Sequence, residues 1–209
     1  MRLITISGLD GSGKSTQIKK LEKYLGNKNL KVKYFHAIDF SIANKWLFSN
    51  KNKLRNKRKP KAITSANWFQ IFLRKIALLA DVFRFRKYFL ILSRENTTDF
   101  LLADRYFYDQ IINILYLEKK LPPLPIKLPP WLKIAYKYII TPDLKIYLSV
   151  SPEKIIARSR IEQGIKYLIN KEKLYNHLTK RWQIKKIDGE RKQEEIFADI
   201  LKEYENING

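Results

Sequence analysis

Nine residues near the amino terminus, Gly8-Leu9-Asp10-Gly11-Ser12-Gly13-Lys14-Ser15-Thr16, constrain this chain more than any other stretch. Gly8, Gly13, Lys14 and Ser15 complete the spacing G-x-x-x-x-G-K-[ST], in which glycines let backbone N–H groups curl around a polyphosphate. Lys14 is placed to reach the β- and γ-phosphates of a nucleoside triphosphate, and the Ser15 hydroxyl to hold Mg²⁺. Ahead of the loop, Leu3-Ile4-Thr5-Ile6 reads as a strand; behind it, Ile18, Leu21 and Leu25 recur at helical spacing. A loop that enters a helix offers an anion free N–H groups and the positive end of the helix dipole. Gly8, Asp10, Gly11, Ser12, Gly13, Lys14, Ser15 and Thr16 are therefore the expected residues for binding a nucleoside triphosphate, with Mg²⁺ brought by the nucleotide.

At 209 residues the chain is expected to be one domain, spanning 1–209. Hydrophobic residues at 45% and aromatics at 13% supply a core, which excludes a largely disordered chain. The absence of cysteine excludes disulfides, thiol catalysis and zinc–thiolate sites, and two histidines leave little for a histidine metal cluster. No run approaches the roughly 18 apolar residues that span a bilayer, and cytoplasm is the expected location. A net charge of +22 would attract nucleic acid, acidic membrane or phosphorylated small molecules, and charge alone does not choose among them. Lysines spread along most of the expected helices speak equally for a lysine-rich composition, so nucleic acid is not favoured as a partner.

Residues 31–35 alternate as a second strand, leaving through His36, Asp39 and Phe40. In open α/β sheets ligands bind at the carboxyl ends of strands, which makes these three candidates for an acceptor site; the same residues also suit an ordinary strand-to-helix connection capped by Asp39. Seven basic residues in 51–61 read as a solvated segment without the aromatics that stack bases. Residues 62–94 lack Gly and Pro and are expected as a long central helix. Its apolar rows are Trp68, Phe72, Ile76, Leu79 and Phe83, and Ile71, Leu78, Val82, Phe85 and Phe89, with most of the aromatics expected as core. Asp81, Arg84 and Arg86 interrupt that surface, and a charge facing inward there needs a partner or a ligand.

Residues 99–104 form a short apolar strand ending in Asp104-Arg105. An acid there can hold the Mg²⁺ water shell, and Arg105 can clamp a phosphate with two parallel N–H groups. A helix over 107–118 leads to 121–130, which holds five of the eight prolines and reads as an extended connector. Strand 142–150 is followed by Ser151-Pro152-Glu153 as a helix start. Helix 155–164 carries Arg158 and Arg160, and Gly164 marks a break. Basic residues on such a segment, about 158–170, suit a lid over transferring phosphates. Helix 171–182, a last strand over 184–187 and helix 191–204 complete the chain, with Asp188-Gly189 near where a nucleotide base could rest.

The sum implies an α/β fold of the P-loop NTPase kind, a parallel five-stranded sheet flanked by helices on both faces. The chain resembles the thymidylate kinase family. The likeness runs nearly end to end and rests on residues 8–17, on Asp104-Arg105-Tyr106, on Pro142-Asp143-Leu144 with Pro152-Glu153 and Arg158, and on Ile187-Asp188. The resemblance implies transfer of the ATP γ-phosphoryl group to a nucleoside monophosphate with Mg²⁺, as in nucleotide biosynthesis, and dTMP as the expected acceptor. It places Lys14, Ser15 and Thr16 on ATP phosphates and metal, Asp10 near the acceptor sugar hydroxyl and Arg105 on the acceptor phosphate. Gly11 stands where some members carry an arginine, and members without it draw that charge from the lid, a role that Arg158 and Arg160 fit. The family also suggests a homodimer, which the long helix permits.

The acceptor side departs from the family. Phe35-His36-Ala37 stands in place of Arg-Glu-Pro, Val82 where an arginine reads thymine, and Asp109 where a serine follows Asp-Arg-Tyr. His36, Asp39, Phe40, Asp81, Arg84 and Arg105, with Asp10, are the acceptor candidates. Two other readings remain open: a kinase for a deoxynucleoside or other small alcohol, with Asp39 as base, and an ATP-binding protein without kinase activity.

Overall fold

Leu3, Ile4, Ile6, Leu101, Leu102 and Ala103 are all buried, as expected of strands covered on both faces. The computed structural model describes residues 1–42, 64–123, 129–158 and 164–207. Five strands, β1 (Arg2–Gly8), β2 (Val32–His36), β3 (Phe100–Asp104), β4 (Leu144–Ser149) and β5 (Lys185–Asp188), form a parallel sheet in the order β2-β3-β1-β4-β5. The helices are α1 (Lys14–Asn27), α2 (Ala37–Phe40), α3 (Trp68–Arg94), α4 (Phe107–Leu117), α5 (Pro130–Tyr138), α6 (Pro152–Arg158), α7 (Ile165–Arg181) and α8 (Gln193–Asn206). The architecture is an α/β P-loop NTPase fold.

Successive strand residues alternate between two cores. Ile4, Ile6, Leu102, Ile146 and Leu148 pack with Ile18, Leu21 and Leu25 of α1 and Ile196 and Ile200 of α8. Leu3, Leu101, Ala103 and Tyr147 face the opposite core, with Leu78, Val82 and Phe85 of α3, Ile111 and Leu115 of α4, Leu132 of α5 and Leu168 and Leu174 of α7. Among the described residues no helix is long and apolar enough to cross a membrane.

Several boundaries differ from the sequence reading. The long helix begins at Trp68, six residues later than expected, where Asn67 Oδ1 accepts from Gln70 N at 2.8 Å and closes a capping box. Of its aromatics, expected mostly as core, Phe85 is buried together with Leu78 and Val82, whereas Trp68, Phe69, Phe72 and Phe83 are exposed. The proline connector ends in a helix that the sequence reading omitted, because Pro130 at its first turn is as compatible with helix as with extended chain. Helix 171–182 is longer than expected and starts at Ile165, directly after Gly164. The basic segment 51–61, and Arg160 within the lid-like stretch, lie outside the described residues.

Candidate active site

β1 ends at Gly8 in the middle of the sheet, and the chain turns through residues 9–13 into α1. At Gly8 φ is +151°, and a Cβ there would lie 2.8 Å from the Leu148 carbonyl oxygen, so only glycine lets the loop leave beside β4. Gly13 precedes α1 at φ +90°, with no side chain capping the helix. The amino end of α1 is thereby left open to an anion. Lys14 is buried, and its Nζ donates to Leu9 O at 2.6 Å and Ser12 Oγ at 3.4 Å. Among the described residues no carboxylate pairs with it; burial lowers its pKa, opposed by the charges of Asp109 and Asp104. A buried ammonium bonded to neutral oxygens lacks an anion, and the loop folded around it fits a polyphosphate.

Ile6 stands opposite Asp104, so β3 ends beside the loop. Buried Asp104 accepts from Ser15 Oγ at 2.5 Å and Tyr34 OH at 3.3 Å through its Oδ2. Hydroxyl and carboxylate oxygens are the donors Mg²⁺ takes, and this pair fits it. Arg105 follows at φ +64°, a left-handed backbone that costs a non-glycine residue about 1–3 kcal/mol. Its N–H donates to Ile6 O at 3.2 Å, and its guanidinium forms an ion pair with Asp10. The strained turn thus aims Arg105 across the mouth of the loop.

The remaining candidates lie to either side. At the end of β2, His36 pairs with the exposed carboxylate of Asp39 at 2.9 Å. Phe40 packs against Phe35 and Phe85, with the Arg84 guanidinium 4.4 Å above its ring. Asp81 is fully buried; both carboxylate oxygens accept from Ile42 N at 3.1 Å, and Arg84 donates to Oδ1 at 2.8 Å. The inward charge of α3 therefore finds its partners within the protein and anchors the α2 connection. Burial nevertheless raises the Asp81 pKa.

On the other side of the loop, Arg158 donates to Gly189 O at 3.0 Å and Glu190 O at 2.9 Å. It is thereby directed to the β5 loop, beside Asp188, rather than to Lys14 and Arg105. A Cβ at Gly189 would lie 2.7 Å from Val150 Cγ2, which keeps that loop close to β4.

Comparison with known proteins adds relatives of this arrangement. A thymidylate kinase from Plasmodium falciparum is 28% identical over 217 positions, covering 99% of this chain and 90% of the relative. A probable thymidylate kinase from Saccharolobus solfataricus is 25% identical over 209 positions, covering 96% and 95%. The chain is thus similar to thymidylate kinases over nearly its whole length. This likeness supports nucleotide kinase activity. The family model for the chromatin-associated protein KTI12 also matches, over residues 1–67, which hold the phosphate-binding loop.

Three residues around the site are absent from the sequence-based candidates. Asp109 is buried behind the loop, accepting from Ser7 Oγ at 2.7 Å, Tyr106 N at 2.9 Å and Tyr175 OH at 2.6 Å. Tyr175 also approaches Gly8 O at 3.3 Å, and burial raises its pKa well above the ordinary tyrosine value. One turn earlier on α7 lies buried Lys171. A lysine and a tyrosine four apart on an expected helix were legible as a pair; the face they occupy was not.

Proposed function

We propose that this chain transfers the γ-phosphoryl group of ATP to a nucleoside monophosphate, with dTMP the first acceptor to test. The observation carrying this reading is the juxtaposition of two contacts at neighbouring strand ends: Ser15 with Asp104, and Arg105 with Asp10. The first suits a nucleoside triphosphate and its metal; the second suits the phosphate and sugar of an acceptor.

In this reading Lys14 and the N–H groups entering α1 bind the β- and γ-phosphates. Ser15 and Asp104 would hold Mg²⁺, which when bound neutralises charge on the phosphate oxygens. Arg105 binds the acceptor phosphate, and Asp10 orients the guanidinium while facing the acceptor sugar. Asp188 and Arg158 line the side of the nucleotide base. An acceptor phosphate is already anionic, so positioning and charge stabilisation suffice without a general base. Thr16 lies in the exposed first turn of α1, one residue beyond Ser15. A second copy of the chain would pack on the exposed apolar row of α3.

A side-by-side screen of monophosphates and nucleosides with ATP tests the reading. Diphosphate formation is expected from at least one monophosphate. Lys14→Ala should lower turnover by about 100-fold or more, and Arg105→Ala should lower kcat/KM for the acceptor by about 100-fold, as for loss of one charge-stabilising donor. If the intact protein converts no monophosphate, the reading fails. Phosphorylation of nucleosides instead would point to a hydroxyl acceptor, a role for which the solvent-facing Asp39 offers no enclosed base.

A further inference from the structure

The cluster around Arg105 holds a cation that the reading above does not use. Lys171, on α7, is only 6% exposed. Its ammonium donates to the Tyr167 hydroxyl at 3.0 Å and lies 5.1 Å from that ring's centroid. Among the described residues no carboxylate pairs with it at ion-pair distance. Four residues on, Tyr175 touches Gly8 O and Asp109. Residues spaced i and i+4 share a helix face, so this face of α7 lies against the loop entrance. The charges acting on Lys171 come from Arg105 in the β3–α4 turn, Asp109 on α4 and Lys14 on α1. Tyr116 of α4 closes over the Tyr167 ring at 4.9 Å, and the carboxylate of Asp10 is engaged by Arg105.

A buried ammonium that feels the charge of the Arg105 guanidinium, with a phenol as its hydrogen-bond partner, lacks the counter-charge that burial demands. One phosphate group, with several anionic oxygens, satisfies both cations. We propose that Lys171 and Arg105 together bind the phosphate of the acceptor, so that α7 supplies the cation which Gly11 leaves out of the loop. Assigning the ligand as an acceptor phosphate rests on the proposed kinase reading; the anion site itself does not.

Burial and Arg105 lower the Lys171 pKa to about 7. At pH 8 the free protein holds this amine mostly neutral, and an arriving phosphate dianion recharges it. Binding there should take up a proton, and affinity should fall as pH rises above about 7.

The test is calorimetric titration at pH 8, in two buffers of different protonation enthalpy, of the intact protein, Lys171→Met and Lys171→Arg. The probes are dTMP, inorganic phosphate, thymidine and ATP. Methionine replaces the buried charge with an apolar chain of similar length, and thermal unfolding checks that the variant is folded. Lys171→Met should weaken dTMP and inorganic phosphate at least tenfold, spare thymidine and ATP, and abolish proton uptake. Lys171→Arg should restore affinity without proton uptake, since arginine stays charged. Equal phosphate affinity in Lys171→Met and the intact protein, no phosphate binding by the intact protein, or equal weakening for thymidine overturns the proposal. Lys171-dependent phosphate binding without turnover of any monophosphate would sink the kinase reading and leave this site standing.

Discussion

Asp109 ties the site together at the scale of one residue. Its carboxylate joins the end of β1, the start of α4 and the middle of α7 through Ser7, Tyr106 and Tyr175. Removing it strands several buried donors, each costing about 1–3 kcal/mol. Asp109→Ala should therefore lose about 3 kcal/mol or more of stability, read as a lower urea midpoint, and Asp109→Asn should lose less. An unchanged midpoint in Asp109→Ala would contradict this role. In sequence the residue shows only as a departure from a family serine. Two of its partners lie 66 and 102 positions away, so no local pattern announces them.

α3 is the element where sequence and structure part most clearly. Its period is plain, since 27 residues run without a break, and its start is set by the Asn67–Gln70 capping box. Asn67→Ala should cost about 1 kcal/mol, seen as a reduced denaturation midpoint. An equal midpoint would show that the exposed cap is replaced by water. Both apolar rows satisfy helical spacing, and periodicity cannot say which one meets the sheet. Phe85 does so, packing on Phe35 of β2 and on Tyr106 and Phe107 at the start of α4. The Asp104-Arg105 turn was legible from residue order, whereas the left-handed backbone that aims Arg105 was not.

Across the whole molecule, the strand order sets the candidate residues on both sides of the loop. β2 and β3 end in His36 and Asp104, with Arg105 in the turn that follows, while β4 and β5 lead to Arg158 and the Asp188–Gly189 turn. Four strand intervals of about 4.8 Å bring all these ends within roughly 20 Å. The exposed row Trp68, Phe72, Ile76, Phe83 and Leu90 runs along one side of α3, and a surface on a single long helix is suited to pairing with its own copy about a two-fold axis. Light scattering is expected to give twice the 24.9 kDa chain mass, and Ile76→Glu the single-chain mass. A single-chain mass for the intact protein would rule out this pairing.

The sequence alone determined the glycine-rich loop between β1 and α1, the alternation of strands and helices, and the acid that ends β3 with the arginine after it. These are local signals: glycine where the backbone must turn tightly, apolar period where a surface is buried, and charge at the end of an apolar strand. Tertiary structure decided which face of α3 is core, that Asp81 is engaged by Ile42 and Arg84, and that Asp109 and Tyr175 reach the loop with Lys171 buried one turn away. Those outcomes depend on contacts between distant segments, where the cost of burying a charge is settled by what stands opposite it.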